Sequence, residues 1–155
     1  MSPGNSLGTP LRRARETATH SGRPICLDSS ALIAYLANEA HARHVAPLIE
    51  DPQLALVIST VTLAEATVQR AMRSRDAAEQ VIAGLRQVAS LTWIAVDDAV
   101  ALEAAVVRAE TRLHLLDAII VASARLSGAV AILGNDRRWQ RGRLGVPFIC
   151  LDDLD

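Results

Sequence analysis

Short apolar runs alternate along the chain with longer segments in which apolar residues recur at helical spacing. The apolar runs have the length of buried strands, and they occupy residues 24–28, 54–58, 91–96, 129–133 and 146–151. No hairpin turn signal joins any two of them, so each connection is expected to cross over through a helix and to leave neighbouring strands parallel. The pattern predicts an α/β domain in which helices cover both faces of a parallel sheet of about five strands.

The segments between the strands carry the apolar stripes of amphipathic helices. Predicted helices span residues 30–38, 41–50, 60–73, 76–89, 99–110 and 115–126. The first residues differ, because 1–22 contain several glycines and prolines and few apolar side chains, which predicts a disordered tail. The expected division is a tail over residues 1–22 and one folded domain over residues 23–155.

The composition sets the size and the compartment of the predicted domain. Half of the 155 residues are hydrophobic, which is enough for one core and leaves no room for a second domain. No apolar run approaches the roughly 20 residues that span a membrane, and the start of the chain lacks the apolar segment of a secretory signal. Cys26 and Cys150 fall in separate strands and are expected to be free core thiols. These features predict a cytoplasmic protein.

The charge of the chain is balanced, with a formal net value of -1. It contains no lysine, so all 16 basic residues are arginines. Arginine suits phosphate recognition, but an alanine- and arginine-rich chain without lysine also follows from GC-rich coding. Charge by itself therefore does not indicate a nucleic-acid-binding protein.

Four acidic residues stand where a strand ends or where the next helix begins. Asp28 ends the first strand, Asp136 leaves the fourth, and Glu65 and Asp117 lie near the starts of helices. If the strand order is 3-2-1-4-5, the order reverses between strands one and four, where ligands bind in such sheets. Asp28 and Asp136 then flank that point, and the other two acids approach it from neighbouring helices.

Ordinary helix capping and the helix dipole can also explain acids at such positions when each is taken alone. The helix after Asp28 begins at Ser29 or Ser30, either of which can cap it. Glu65 completes the capping-box pattern Thr-Leu-Ala-Glu, and Asp117 in a first helical turn is favoured by the helix dipole. None of these explanations requires the four acids to meet at one edge of a sheet.

Convergence of the acids points to a metal site. Carboxylates that are held close together repel one another unless cations neutralise them. Mg²⁺ and Mn²⁺ prefer such oxygen ligands, and the absence of histidine and cysteine from the cluster disfavours zinc. The chemistry that uses such a site is metal-assisted hydrolysis of phosphodiester bonds.

The same residues carry a family resemblance. The four segments are Leu27-Asp28-Ser-Ser30-Ala-Leu-Ile, Ser59-Thr-Val-Thr-Leu-Ala-Glu65, Leu-Leu-Asp117-Ala-Ile-Ile-Val-Ala and Gly134-Asn-Asp136-Arg-Arg-Trp139. In this order they resemble the PIN-domain ribonucleases, and most closely the VapC-type toxins of bacterial toxin–antitoxin pairs. The resemblance spans about residues 24–151.

The resemblance implies a three-layer α/β/α sandwich and an endoribonuclease that depends on Mg²⁺ or Mn²⁺. It implies that Asp28, Glu65, Asp117 and Asp136 hold the metal, with Ser30 as a supporting polar group. It also implies a cognate antitoxin that inhibits the enzyme by lying in an apolar groove near the first helices, and a homodimer.

The fourth segment departs from the family pattern. The family usually has Thr or Ser where this chain has Gly134, so a hydroxyl that would hold a metal-bound water is missing, and Asn135 is the candidate to replace it. The family often has Asp and then Phe after the fourth acid, where Arg138 reverses the charge and Trp139 keeps the aromatic ring.

RNA contacts are expected from the arginines beyond the fourth acid. Arg137, Arg138 and Arg141 are the candidates, and Arg143 belongs to the same cluster. Aromatic residues make up only 3% of the chain, so base stacking contributes little to the expected recognition.

Two alternatives to an active ribonuclease stay open from the sequence. A catalytically impaired module of the same fold would bind RNA or antitoxin without cleavage, and Gly134 is the feature that suggests it. A phosphatase of the haloacid-dehalogenase type also has an Asp after its first strand. That class needs a second Asp two residues later, where this chain has Ser30.

Overall fold

The computed structural model describes residues 9–154 and contains one parallel sheet with the strand order β3-β2-β1-β4-β5. Its strands are β1 Ile25–Leu27, β2 Leu56–Ser59, β3 Leu91–Ile94, β4 Ala131–Gly134 and β5 Phe148–Cys150. Cys26 in the central strand pairs with Val57 of β2 and Ile132 of β4. The predicted number, direction and order of the strands are therefore confirmed.

Helices cover both faces of the sheet. They are α1 Thr9–Ser21, α2 Ser29–Leu36, α3 Ala42–Ile49, α4 Thr60–Ala71, α5 Arg75–Arg86, α6 Asp98–Thr111 and α7 Leu115–Leu126, with short 3₁₀ helices at Arg137–Arg141 and Leu151–Asp153. Buried residues of α1 to α5 share one core cluster on one face, and those of α6 and α7 share a second cluster on the other. The sandwich of three layers is confirmed.

Side-chain alternation explains why the strands are apolar throughout. In β1, Ile25 and Leu27 belong to the core beneath α1 to α5, whereas Cys26 belongs to the core beneath α6 and α7. Successive side chains of a strand point to opposite faces, so a strand that is covered on both faces has no solvent side. Cys26 and Cys150 are both free and buried, as predicted.

The N-terminal region differs from the expected tail. Thr9–Ser21 is helical, and the prediction of disorder over residues 1–22 is wrong for this segment, while residues 1–8 lie outside the described part of the chain. Leu11, Ala14 and Ala18 recur on one face of α1 and pack into the core that includes β1, with Leu11 fully buried. The compact unit therefore starts before residue 23.

An ion pair also ties α1 to the rest of the domain. Arg15 Nη2 lies 2.6 Å from Asp51 Oδ2, just beyond the end of α3. Two of the three apolar side chains on the inner face of α1 are alanines, which give a weak apolar signal in the sequence.

No helix within residues 9–154 is both long and apolar enough to cross a membrane.

Candidate active site

All four predicted acids lie at the edge of the sheet where its parallel strands end. Asp28 directly follows β1, Asp136 follows β4, Glu65 is in the second turn of α4, and Asp117 is in the first turn of α7. The charges of Asp136 and Glu65 raise the pKa of Asp117, and the charge of Asp117 raises the pKa of Asp28, so the four side chains lie near one another. The structure thus brings the sequence-predicted acids together at the point where the strand order reverses.

Asp28 is the most buried of these acids, with only 6% of the residue exposed. Burial, with a smaller contribution from Asp117, raises its pKa from 3.8 to about 6. Hydrogen bonds from the Ser30 hydroxyl and from the backbone N–H groups of Ser29 and Ser30 oppose the rise. Asp28 therefore holds its negative charge in a place that disfavours it, and a bound cation would relieve that cost.

Ser30 connects Asp28 to the loop of the fourth acid. Its hydroxyl donates to Asp28 Oδ2 at 2.8 Å and accepts from the backbone N–H of Asn135 at 2.8 Å. The predicted helix cap at Ser29 or Ser30 is wrong, because Asp28 is the cap residue and both serines are already helical. The Ser30 hydroxyl is thus available to fix the Asp28 carboxylate.

Glu65 is not part of a capping box. Helix α4 begins at Thr60 and is capped by Ser59, whose hydroxyl accepts from the backbone N–H of Val61 at 3.3 Å. The partner of the Glu65 carboxylate is the hydroxyl of Ser29, which donates to its Oε2. The ordinary explanation of Glu65 is therefore excluded, and Ser29 is a contact that the sequence pattern did not reveal.

Asp117 is partly buried at the start of α7. Its pKa is raised, chiefly by burial and then by the neighbouring charges of Asp136 and Glu65, while Arg138 acts in the opposite direction. A helix-dipole role alone would not place three other carboxylates around this side chain. Burial first, and the charges of Asp136 and Glu65 after it, therefore disfavour the ionised form of Asp117 and raise its pKa.

Asp136 has the opposite character. Its carboxylate accepts from the backbone N–H of Arg138 at 2.9 Å, and Arg138 Nε lies 2.9 Å from both of its oxygens. The guanidinium lowers the pKa of Asp136. The reversed charge noted in the sequence thus forms an ion pair directly on the fourth acid, a pairing that the sequence spacing alone did not show.

Gly134 lies against Asp28. A Cβ atom at this position would stand 2.9 Å from both the Cβ and Oδ2 of Asp28 and 3.2 Å from a ring carbon of Phe148. The register of β1 on β4 places these residues side by side, since Leu27 pairs with Leu133 one residue earlier. The absence of a side chain at Gly134 makes room for the carboxylate.

Asn135 contributes its backbone to the site. Its side-chain Oδ1 accepts from the backbone N–H of Asp152 at 3.0 Å and from the thiol of Cys150 at 3.6 Å. The amide that was predicted to replace the missing hydroxyl is therefore engaged with the C-terminal segment. The contact of Asn135 with the acids runs through its N–H and Ser30.

Comparison with known proteins agrees with this geometry. The family model of the PIN domain matches residues 25–143. The chain belongs to the PIN domain family. Membership excludes the phosphatase alternative, and the site has Ser30 where that class would need a second acid.

Solved structures share the fold of this PIN domain at low sequence identity. A toxin–antitoxin complex from Klebsiella pneumoniae is 21% identical, with a TM-score of 0.64, and the match covers 82% of this chain and 97% of that chain. DNA-bound VapBC from Salmonella typhimurium is 20% identical, with a TM-score of 0.61 and coverage of 83% and 98%. The sarcin–ricin loop cleaving toxin VapC20 of Mycobacterium tuberculosis is 23% identical, with a TM-score of 0.56 and coverage of 75% and 92%. No protein with a curated description matches the chain.

The donor set of this PIN domain fits a hard divalent cation. Its ligands would be carboxylate oxygens, which Mg²⁺ and Mn²⁺ prefer, and the buried Asp28 needs a compensating charge. Within residues 9–154, no three His, Cys, Asp or Glu side chains already stand in the arrangement of a metal site. Three of the four acids are instead hydrogen-bonded to Ser29, Ser30 or Arg138, so a bound ion would share their carboxylates with these partners or replace them.

The predicted RNA-contacting arginines of the PIN domain fall into two groups. Arg137 pairs with the C-terminal acids, with Nη2 2.9 Å from Asp153 Oδ1 and Nε 3.8 Å from Asp152 Oδ2, while Arg138 pairs with Asp136. Arg141 is exposed and makes no ion pair within the described residues. Asp152 and Asp153 are therefore bound to the loop of the fourth acid.

A groove opens beside Glu65 between α2 and α4. It has a volume of about 440 Å³. Its lining residues are Ile33, Leu36, Ala37, Glu39, Glu65, Ala66, Gln69, Arg70 and Arg73. One wall thus carries a candidate metal ligand, and the remaining walls are apolar with charged margins.

Proposed function

We propose that this PIN domain is a metal-dependent endoribonuclease and the toxin of a toxin–antitoxin pair. The observation that carries the proposal is the placement of four acids at the strand-order reversal, where Ser30 links Asp28 to the loop of Asp136, and Ser29, next to Asp28, binds Glu65. Such crowding destabilises a fold unless a cation or a reaction uses it. The resulting activity is hydrolysis of RNA phosphodiester bonds.

In this proposal Asp28, Asp117, Glu65 and Asp136 hold Mg²⁺ or Mn²⁺. When bound, the ion supplies an activated water and stabilises the charge on the leaving oxygen. Ser30 orients Asp28 through the 2.8 Å hydrogen bond to Oδ2, and the N–H of Asn135 fixes the Ser30 hydroxyl in turn. Gly134 keeps the space beside Asp28 free, so that the carboxylate retains its rotamer.

The antitoxin partner follows from the relatives and from the groove. Several solved relatives are toxin–antitoxin complexes. The groove between α2 and α4 is apolar at Ile33, Leu36 and Ala66, and it reaches the carboxylate of Glu65. An antitoxin segment with apolar side chains that lies in this groove would therefore end beside the metal ligands, which accounts for inhibition.

A homodimer is the proposed assembly. Exposed apolar side chains recur four residues apart at two helices: Val68 on α4 with Met72 directly after its end, and Leu102 with Val106 on α6. Met72 and Leu102 are 77% and 70% exposed, and grouped exposed apolar side chains are typical of surfaces that a partner covers. These two helix faces are the surfaces that a second copy would bury.

The catalytically impaired alternative loses its main support. It rested on the missing hydroxyl at Gly134, but a side chain there would collide with Asp28. The glycine thus serves the acid cluster, and it gives no indication of a decayed site.

The test is cleavage of a mixed, labelled RNA pool by the purified, antitoxin-free protein with Mg²⁺, Mn²⁺ or EDTA. We expect metal-dependent cleavage that falls at least ~100-fold in Asp28→Asn and Asp117→Asn, because each removes a negatively charged ligand. Asp76→Asn is the matched control, since Asp76 is exposed at the start of α5 and outside the site. A folded wild type that cleaves no RNA in any metal would refute the proposal.

A further inference from the structure

The arginines near the acid cluster differ in whether they have a partner. Arg125 binds Glu103 and Glu110, and Arg137 and Arg138 bind C-terminal acids and Asp136. Among the described residues, three exposed arginines of this region make no ion pair or side-chain hydrogen bond. They are Arg112, Arg141 and Arg143.

These three arginines line two adjoining hollows that begin at Asp117. The first has a volume of about 180 Å³ and is bounded by Arg112, His114, Asp117 and Arg138. The second has a volume of about 530 Å³ and is lined by Glu110, Arg141, Gly142 and Arg143. Thr111 lines both hollows, so they adjoin at the end of α6.

The turn between α6 and α7 holds this surface in place. Arg112 closes α6 in the left-handed conformation, with φ 61° and ψ 17°. The hydroxyl of Thr111 accepts from the backbone N–H of Leu113 at 3.2 Å, and Arg108 donates to the carbonyl of Leu113. Because the backbone of the turn is bonded on both sides, the position from which the Arg112 side chain extends is fixed.

Gly142 lets the segment that carries Arg141 and Arg143 lie close to the end of α6. A Cβ atom there would contact the Cβ of Thr111 at 3.9 Å, so the end of the 3₁₀ helix approaches the end of α6. Trp139 anchors that 3₁₀ helix, because its ring is 1% exposed and lies 5.5 Å from the ring of Phe148. Arg141 and Arg143 therefore extend from a segment that is packed against the domain.

The charge of the surface is positive. Its acids are Asp117 and Glu110, and Glu110 is bound by Arg125 Nη2 at 3.0 Å, which offsets its charge. Unpaired guanidinium groups attract phosphate and need no rearrangement to bind it, whereas Arg137 and Arg138 would first have to leave a carboxylate. The available positive charge thus lies on Arg112 at the end of α6 and on Arg141 and Arg143, and not on the two arginines directly after Asp136.

We propose that Arg112, Arg141 and Arg143 form an arginine track that binds the sugar–phosphate backbone of single-stranded RNA and leads it to Asp117. The inference rests on the proposed ribonuclease function and assigns the strand's path. Of the arginines that the sequence suggested as phosphate contacts, Arg141 and Arg143 are kept and Arg137 and Arg138 are not. Arg112 is added. The track recognises backbone charge, so it provides affinity with little base specificity.

The test measures binding without cleavage. Labelled single-stranded RNA of mixed sequence is titrated with the Asp117→Asn protein from about 50 to about 200 mM salt, and the affinity is read by fluorescence anisotropy. Adding Arg141→Gln and Arg143→Gln should weaken binding on the order of 10-fold. It should also reduce the slope of log affinity against log salt by about 0.7 for each lost phosphate contact. Arg112→Gln should act in the same direction.

The matched control is Arg12→Gln with Arg13→Gln, two exposed arginines on α1, which lies on the other face of the sheet. It should change neither affinity nor slope. If the track variants bind RNA as tightly as their parent while the wild type cleaves RNA, the track is refuted and the ribonuclease stands, and these arginines would then belong to a protein-binding surface. If the slope falls as expected but the wild type never cleaves, the track stands and the nuclease fails.

Discussion

The two acids that flank the strand-order reversal are held in different ways. Asp28 is fixed by packing, because it is buried, bonded to Ser30 and pressed against Gly134. Asp136 is fixed by charge, because it is more exposed and bound by the guanidinium of Arg138. Their pKa values consequently move in opposite directions, upward for Asp28 and downward for Asp136.

The difference separates a preformed half of the site from an adjustable half. The Asp28 carboxylate has little freedom to rotate, so its geometry is set when the chain folds. The Asp136 carboxylate already has a cation beside it, and a metal ion must displace that cation or share the carboxylate with it. Substitutions on the Asp28 side should therefore alter stability, whereas those on the Asp136 side should alter metal affinity.

The largest effect on stability is expected for Asp28→Asn. The folded-state pKa of Asp28 is about 6 against an ordinary 3.8, so ionisation is less favourable in the folded chain than in the unfolded one. Stability is then lost as pH rises from about 4 to about 6, and the full penalty, up to about 3 kcal/mol, is present above that range. Asn removes the charge and should raise the free energy of unfolding at neutral pH while it abolishes cleavage.

Chemical denaturation in EDTA checks this expectation, because metal binding would mask the penalty. The stabilisation by Asn should be present at neutral pH and nearly absent at about pH 3, where the wild-type carboxyl is largely protonated in both states. Asp76→Asn, on exposed α5, should show no such gain. Equal stability of Asp28→Asn and wild type at both pH values would show that the buried charge carries no penalty.

A second prediction concerns the space beside Asp28. Gly134→Thr supplies the hydroxyl that the family usually has, but its Cβ would lie 2.9 Å from Asp28. We expect a loss of about 1–3 kcal/mol in unfolding free energy from overpacking, together with reduced cleavage as Asp28 is displaced. Thermal unfolding and the RNA cleavage assay measure the two effects.

Gly84→Ala provides the control, because nothing lies within 4 Å of the added Cβ in helix α5. It should stabilise by about 0.5–1 kcal/mol through helix propensity. A Gly134→Thr protein that is as stable as the wild type and cleaves faster would mean that the family hydroxyl fits here after all.

The positions of Asp28 and Asp136 could be predicted from the sequence. The ion pair between Arg138 and Asp136 could not. Asp28 could be placed because an acid that ends a central parallel strand must lie at the carboxyl edge of the sheet. Gly134 beside it could also have been inferred from the strand order and register. The Arg138 ion pair depends on the conformation of a 3₁₀ turn, which the sequence pattern did not define.

Other misses have the same physical origin. Helix α1 was taken for a disordered tail because its buried face relies on alanines, whose packing becomes visible only against the assembled core. Strand β3 ends at Ile94 and not at 96, since the last apolar residues of that run continue beyond the pairing with β2. Contacts between side chains distant in sequence, such as Ser29 with Glu65, require the fold before they can be named.

The smallest predicted effect tests the adjustable half. Arg138→Gln removes the guanidinium that competes with a metal ion for Asp136, so Mn²⁺ should bind more tightly, by no more than about fivefold because an exposed ion pair is weak. Calorimetric titration with Mn²⁺ measures this without reference to cleavage. Arg137→Gln is the neighbouring control, because Arg137 pairs with Asp152 and Asp153 and not with Asp136. Weaker Mn²⁺ binding by Arg138→Gln than by Arg137→Gln would show that Arg138 orients the fourth acid for the metal, and the charge-held half would then be as preformed as the packed one.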